Sequence, residues 1–206
     1  MQAKDYLLYI VEKIHSTIFA TVDSRGRPVT CAIDLMDCDE NSLYFLTARG
    51  KHFYDRLIAN EHIAFTAMQG NDTLSSVAVS VQGKAREIGP DRLPYLFRKN
   101  SYMEKIYPDA RSRSALTVFQ IYERTGEWFD LSRRPIERAG FSFGGAQTTA
   151  SGYFVTDKCI GCKLCYSRCP QKCIDISRRP AVIQQEHCLH CGNCSEICPA
   201  EAIERR

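Results

Sequence analysis

Eight cysteines near the C-terminus follow one spacing twice: Cys159-x2-Cys162-x2-Cys165-x3-Cys169-Pro170, then Cys188-x2-Cys191-x2-Cys194-x3-Cys198-Pro199. Each cysteine of the first copy has a mate 29 residues later, so the segment is an internal repeat. Two-residue gaps wrap a short loop around one corner-sharing cluster and bring three sulfurs to three irons. The fourth cysteine, on a following short helix, points the other way and serves the second cluster. The spacing therefore predicts two 4Fe–4S clusters, one held by Cys159, Cys162, Cys165 and Cys198 and the other by Cys188, Cys191, Cys194 and Cys169. Structural zinc prefers Cys-x2-Cys pairs separated by a longer span, whereas here three cysteines crowd into seven residues. Disulfides need an oxidising compartment, and the N-terminal stretch lacks the basic start and continuous apolar centre of an export signal. A core from about 56 residues is too small to stand unaided, so the clusters double as structural staples.

Residues 152–206 resemble the bacterial two-cluster ferredoxins on these motifs. Overlaying the repeat sets Cys173 opposite Ala202, which reads as a small packing position. His187 and His190 flank Cys188; with eight spaced thiolates available, they read as hydrogen-bonding or exposed residues. The formal charge is +3, but two oxidised clusters of about −2 each bring the loaded protein to about −1. Net charge therefore gives no support for nucleic-acid binding, and no basic run with interleaved aromatics adds any. No apolar run approaches the ~18 residues of a membrane helix. The expectation is a cytoplasmic protein without membrane or nucleic-acid partners.

Ahead of the array the pattern is a helix followed by strands. Tyr6, Leu7, Ile10, Val11 and Ile14 recur at helical spacing over 3–15. Strands are expected at Thr17–Val22, Pro28–Leu35, Ser42–Thr47, His62–Met68 and Leu74–Ile88, with a helix at Lys51–Asn60. A second helical stretch covers 91–107, and Leu116–Tyr122 with Glu127–Leu131 reads as a hairpin around Arg124-Thr125-Gly126. No βαβ unit repeats, which points to an α+β chain: a split β-barrel with flanking helices, then the small iron–sulfur domain. The expected divisions are a barrel over 1–133, a connector over 134–151 carrying Phe141 and Phe143, and the cluster domain over 152–206.

Thr47-Ala-Arg49-Gly-Lys51 lies where a strand ends and a helix begins. Its backbone N–H groups, hydroxyl and two cations suit a phosphate, as they also suit an exposed basic turn. Ala20-Thr-Val-Asp-Ser-Arg-Gly-Arg-Pro28, Leu43-Tyr-Phe-Leu-Thr47, Lys51…Leu57…Asn60 and Gly83-Lys84-Ala85 resemble the FMN-binding split-barrel family of pyridoxamine 5′-phosphate oxidase-like proteins, over about residues 3–131. The resemblance implies that Thr47, Arg49 and Lys51 hold the FMN phosphate. It also implies that the strand Cys31-Ala32-Ile33 lies along the isoalloxazine and that the chain is a homodimer. True pyridoxamine-phosphate oxidases carry basic residues where this chain has Cys31 and Met36, so vitamin B6 oxidation is not expected. Oxidases also deliver electrons to O₂, to which exposed 4Fe–4S clusters are vulnerable.

These features point to an iron–sulfur flavoprotein that gathers single electrons on clusters and exchanges pairs through FMN with a small acceptor or donor. Two other readings stay open: an electron carrier serving a redox partner protein, and a ferredoxin fused to a flavin-free binding or dimerisation barrel. No general acid or base is identifiable; His15, His52 and His62 are candidates by type alone.

Overall fold

The structure is a computed structural model that describes residues 2–147 and 151–206. The described residues form two compact units, one from 2–70, 78–127 and 141–147, the other from 71–77, 128–140 and 151–206.

The larger sheet, most of whose residues belong to the first unit, runs along the path β2-β1-β5-β6-β7-β4-β3. Its strands are β1 (Ser16–Val22), β2 (Pro28–Asp34), β3 (Asp37–Cys38), β4 (Leu43–Ala48), β5 (His62–Gln69), β6 (Val77–Gly89) and β7 (Leu116–Asp130), with β8 (Glu137–Phe143) paired to β7. Alternation sends Thr17, Phe19 and Thr21 of β1 inward, and Ile63, Phe65 and Ala67 of β5. The centre is aromatic. Phe19 stacks on Phe65 at 5.0 Å between centroids, and Phe45 stacks on Phe119 at 5.4 Å. Helix α1 (Ala3–Tyr9) buries Tyr6 and Leu7, and its continuation over Ile10–Ile14 widens into a π-turn. Helix α2 (His52–Ala59) buries Phe53 and Leu57, at the i, i+4 spacing of one face.

The helical stretch expected over 91–107 is broken into α3 (Leu93–Lys99) and α4 (Met103–Ile106), followed by α5 (Ala110–Arg113). The break falls at Asn100, whose buried amide donates to the carbonyls of Leu96 and Met36 at 2.9 and 3.1 Å. The side chain thereby ties the end of α3, where the Asn100 N–H also bonds Leu96, to the Met36 carbonyl.

The hairpin expected around Arg124-Thr125-Gly126 is instead one continuous strand, β7. Arg124 is 1% exposed and donates to the carbonyls of Ile121 (2.6 Å) and Asn41 (3.1 Å). Gly126 admits the Phe141 ring, which a Cβ there would meet at 2.3 Å. Turn-type residues here serve close packing. The partner strand β8 lies within the stretch read as connector; Phe141 stacks on Tyr6 at 4.8 Å, and Phe143 lies under the Arg124 guanidinium at 4.5 Å. Gly83 of β6 likewise serves close approach, since a Cβ there would stand 2.5 Å from that of Arg124.

The second unit contains two structural copies of the sequence repeat. The first copy holds β9 (Tyr153–Val155), α6 (Leu164–Arg168) and β10 (Ile174–Asp175); the second holds β11 (Val182–Ile183), α7 (Asn193–Glu196) and β12 (Ile203–Arg205). Strands pair across the copies, β9 with β12 and β10 with β11, both antiparallel. Its core is half cysteine: Cys169, Cys173, Cys188 and Cys194 pack with Ile174, Ala181, Ile183 and Ile203. Among the described residues no helix is long and apolar enough to cross a membrane.

Candidate functional site

Two small cavities open in the second unit. Cys159, Cys162, Cys165 and Cys198 line one; Cys169, Cys188, Cys191 and Cys194 line the other. Of the eight spaced cysteines, each cavity thus takes three from one copy of the repeat and the fourth from the other. The loops are shaped by left-handed residues at mated positions: Gly161 with His190 (φ 76° and 55°), Lys163 with Gly192 (63° and 84°), Lys172 with Glu201 (53° and 47°). Only glycine adopts this region without cost, so the four non-glycine cases store strain in the service of a loop that turns its sulfurs inward. Backbone N–H groups already point at sulfur, His190 to Cys188 at 3.4 Å and Ala202 to Cys198 at 3.3 Å. Among the described residues no three His, Cys, Asp or Glu side chains converge on one ion's position; these cysteines stand around a volume.

The two cavities differ. Cys173 lines the second, with its sulfur 3.6 Å from that of Cys169, whereas its mate Ala202 lines the first. The neighbouring Cys173, the His190 N–H and Arg138 hold the Cys188 thiol below its ordinary range against the opposing effect of burial. Burial pushes Cys194 up to about 11. His187 does not face a cavity sulfur: its Nδ1 is 2.8 Å from the Ile136 carbonyl.

In the first unit, β2 is an edge strand, so half of its backbone donors and acceptors face away from the sheet along Cys31, Ala32 and Ile33. Ala32 is exposed and Cys31 half-buried. Burial raises the Cys31 thiol, while Arg56 and Lys51 pull it down, which places both cations within electrostatic reach of β2. Lys51 is the N-cap residue of α2, and no side chain caps that helix start. Arg49 turns elsewhere, its guanidinium donating to the Ser114 carbonyl at 2.6 Å. Thr47 is buried, and its hydroxyl has no hydrogen-bond partner. The structure therefore sets Lys51 with Cys31, leaves Arg49 on the β7 side, and encloses Thr47 at the end of β4.

Sequence reasoning missed Arg56, whose Nε donates to Thr21 Oγ1 at 2.8 Å. Its signal was slight: a second cation five residues after Lys51. It also missed a cluster at the far end of β2. The Tyr102 hydroxyl donates to Asp34 at 2.7 Å and lies 2.8 Å from His15 Nε2, while Ser16 donates to Asp34 at 2.6 Å. Burial opposes the Asp34 charge, but the bonds from Ser16 and Tyr102 outweigh it and hold the carboxyl below its ordinary range. Burial and Asp34 push the Tyr102 phenol up. His15 has φ 65° without being glycine, a backbone conformation that costs energy. His52 is exposed on α2; His62 bonds Asn60 and lines a cleft of about 480 Å³ with Thr21, Pro28, Gln82 and Lys84.

A split-barrel unit and a separate unit with two cysteine-lined cavities define a two-module redox architecture. The chain belongs to the pyridoxamine 5′-phosphate oxidase family, whose model matches residues 4–133, and carries a 4Fe-4S dicluster domain matched over 151–199. The cluster segment is similar to a component of the ion-translocating oxidoreductase complex of Methanosarcina acetivorans, 50% identical over 48 residues, which are 23% of this chain and 18% of that one. It is also similar to the PorD component of pyruvate synthase from Methanothermobacter marburgensis, 38% identical over 60 residues, 29% of this chain and 70% of that one. The fold resembles that of a NimC/NimA family protein from Clostridium acetobutylicum, with TM-score 0.56 and 12% identity over 68% of this chain and 92% of that one.

Proposed function

We propose that this chain is an iron–sulfur flavoprotein that passes electrons between two 4Fe–4S clusters and an FMN held by the barrel. The observation that carries the reading is the pair of cavities, each lined by four cysteines of the spaced array drawn from both copies of the repeat, with Cys173 beside them in the second. In this reading Cys159, Cys162, Cys165 and Cys198 hold one cluster, and Cys169, Cys188, Cys191 and Cys194 the other. When bound, the clusters supply one-electron steps and the flavin couples them to a two-electron exchange.

The barrel residues suit a flavin phosphate. An uncapped helix start, Lys51 and Arg56 beside β2, and the unpartnered Thr47 hydroxyl supply positive charge and spare donors. Arg49 completes the set if its bond to Ser114 is exchanged for phosphate. The free edge of β2 over Cys31, Ala32 and Ile33 offers backbone groups to the ring. At the end of that strand the Tyr102 hydroxyl lies between His15 Nε2 and Asp34 Oδ2, where it can pass a proton between imidazole and carboxylate. Met36 is buried and Cys31 half-buried and uncharged, so neither supplies the cation that a B6 phosphate needs. Exposed Ile18 and Met68, on the paired strands β1 and β5, support a homodimer through that face.

Anaerobic purification followed by iron, acid-labile sulfide and flavin analysis tests the reading. About eight irons and about one FMN per chain are expected. Eight irons without flavin, after FMN is supplied, remove the barrel's redox role; absence of iron removes the cluster assignment. The alternative of a carrier serving another enzyme draws on the relatives' names as components of larger oxidoreductases. Turnover with a small acceptor separates the two.

A further inference from the structure

The two cavities are unequal in charge and exposure. Lys163, in the loop at the first cavity, is mated with Gly192. Arg178 and Arg179 then extend the basic side. Lys163 and Arg178 line the first cavity, while among the described residues no charged one lines the second.

Exposure divides the same way. The loop Ile160-Gly161-Cys162-Lys163-Leu164 is exposed throughout, with Ile160 at 55% and Leu164 at 43%. At the mated positions of the second copy Leu189 and His190 are half-buried and Gly192 is buried, with Cys191 and Asn193 exposed, and Cys188 and Cys194 are buried where Cys159 and Cys165 are half-buried. Tyr153 closes over Gly192, where a Cβ would meet its hydroxyl at 2.9 Å. Electron transfer weakens steeply with distance, so electrons pass most readily through the cavity whose wall is thinnest. Two exposed aliphatic side chains beside it, ringed by lysine and arginine, have the composition of a small interface with a charged rim. The rim is little spent on internal pairs. Arg178 meets Asp175 at 3.5 Å with its own side chain 66% exposed, and Arg179 donates to the Cys159 carbonyl at 2.7 Å.

We propose that this face, around Ile160, Lys163, Leu164 and Arg178, is the docking surface for an acidic electron-transfer protein, and that single electrons pass between that partner and the chain through the first cluster. The proposal rests on the cluster assignment above. Local charge, not net charge, selects the partner: the loaded protein, at about −1 overall, would repel an anionic partner if net charge governed the encounter. A basic patch at the port steers such a partner to one cluster and not to the other.

The test uses the intact, cluster-loaded protein in its reduced state. Stopped-flow oxidation by ferricyanide moves one electron per event: a cluster goes from the 1+ to the 2+ state, ferricyanide becomes ferrocyanide, and no proton is needed. The rate is expected to fall as salt rises, and the K163E/R178E variant is expected to be about tenfold slower at low salt. Oxidation by the trication hexaamminecobalt(III) should move in the opposite sense. Calorimetry with an acidic plant-type 2Fe–2S ferredoxin should show complex formation that the variant loses and Asn193→Glu, in the second copy, keeps. Iron content and the cluster EPR signals, measured on every variant, separate failure of this inference from failure of the cluster assignment. Ferricyanide rates unchanged in K163E/R178E, or an equal effect from Asn193→Glu, overturn the proposal. So does binding to anionic phosphatidylglycerol vesicles with none to the acidic ferredoxin.

Discussion

Replacing Cys173 by alanine separates the eight cysteines that hold clusters from the one that packs beside them. Its thiol is 3% exposed, lines the second cavity and sits 3.6 Å from the Cys169 sulfur. Deleting that sulfur removes a group about the size of one methylene from a packed core, a loss of about 1 kcal/mol. The backbone is unaffected, because the mated Ala202 holds the same place beside the first cavity and is fully buried. For a chain of this length the expected drop in Tm is about 2–4 °C. Iron should stay at about eight per chain, with both EPR signals retained. One signal should move to lower potential, because a hydrogen bond to a ligand sulfur is withdrawn. The assay is iron and sulfide analysis beside potentiometric EPR titration. Four irons per chain would show that Cys173 is a ligand and that the crossed set of Cys169, Cys188, Cys191 and Cys194 is wrong.

Three further outcomes are expected. Lys51→Ala should weaken FMN retention by about tenfold or more, the worth of a charge-assisted contact, with iron unchanged; equilibrium dialysis reads the flavin, and unaltered affinity would move the phosphate away from the start of α2. Gly126→Ala places a methyl 2.3 Å from two Phe141 ring atoms; the ring must leave its stack on Tyr6, costing about 1–3 kcal/mol, and a denaturant midpoint equal to that of the parent would refute this packing. Anaerobic chelation of iron should abolish the ordered structure of residues 151–206, whose core is half cysteine. The aromatic-centred barrel should persist, as judged by hydrogen exchange; full retention of protection in the cluster segment would show that its fold does not depend on metal.

How much of this was written in the chain follows from the range of the interactions involved. Metal ligation is local and stereotyped: two-residue gaps wrap a cluster whatever surrounds them, so the array, its period of 29 and the crossed grouping of cysteines are legible without coordinates. Alternation over β1 and β5 is likewise a property of each strand alone. Other features depend on residues far apart in sequence. Arg124 and Gly126 carry turn chemistry, yet the buried guanidinium meets Asn41 and the glycine meets Phe141, and those contacts keep β7 straight. Asn100 breaks a helical pattern because the Met36 carbonyl happens to lie within its reach. His15, Asp34 and Tyr102 come from a π-turn, a strand end and a helix cap, separated by up to 87 residues and with no shared spacing to mark them. The unequal exposure of the two cluster loops is likewise absent from the repeat, since it arises from what packs over each copy: Tyr153 over Gly192 in the second, solvent beside Ile160 in the first. Local chemistry is encoded in spacing, whereas the surroundings of that chemistry are decided when distant segments pack.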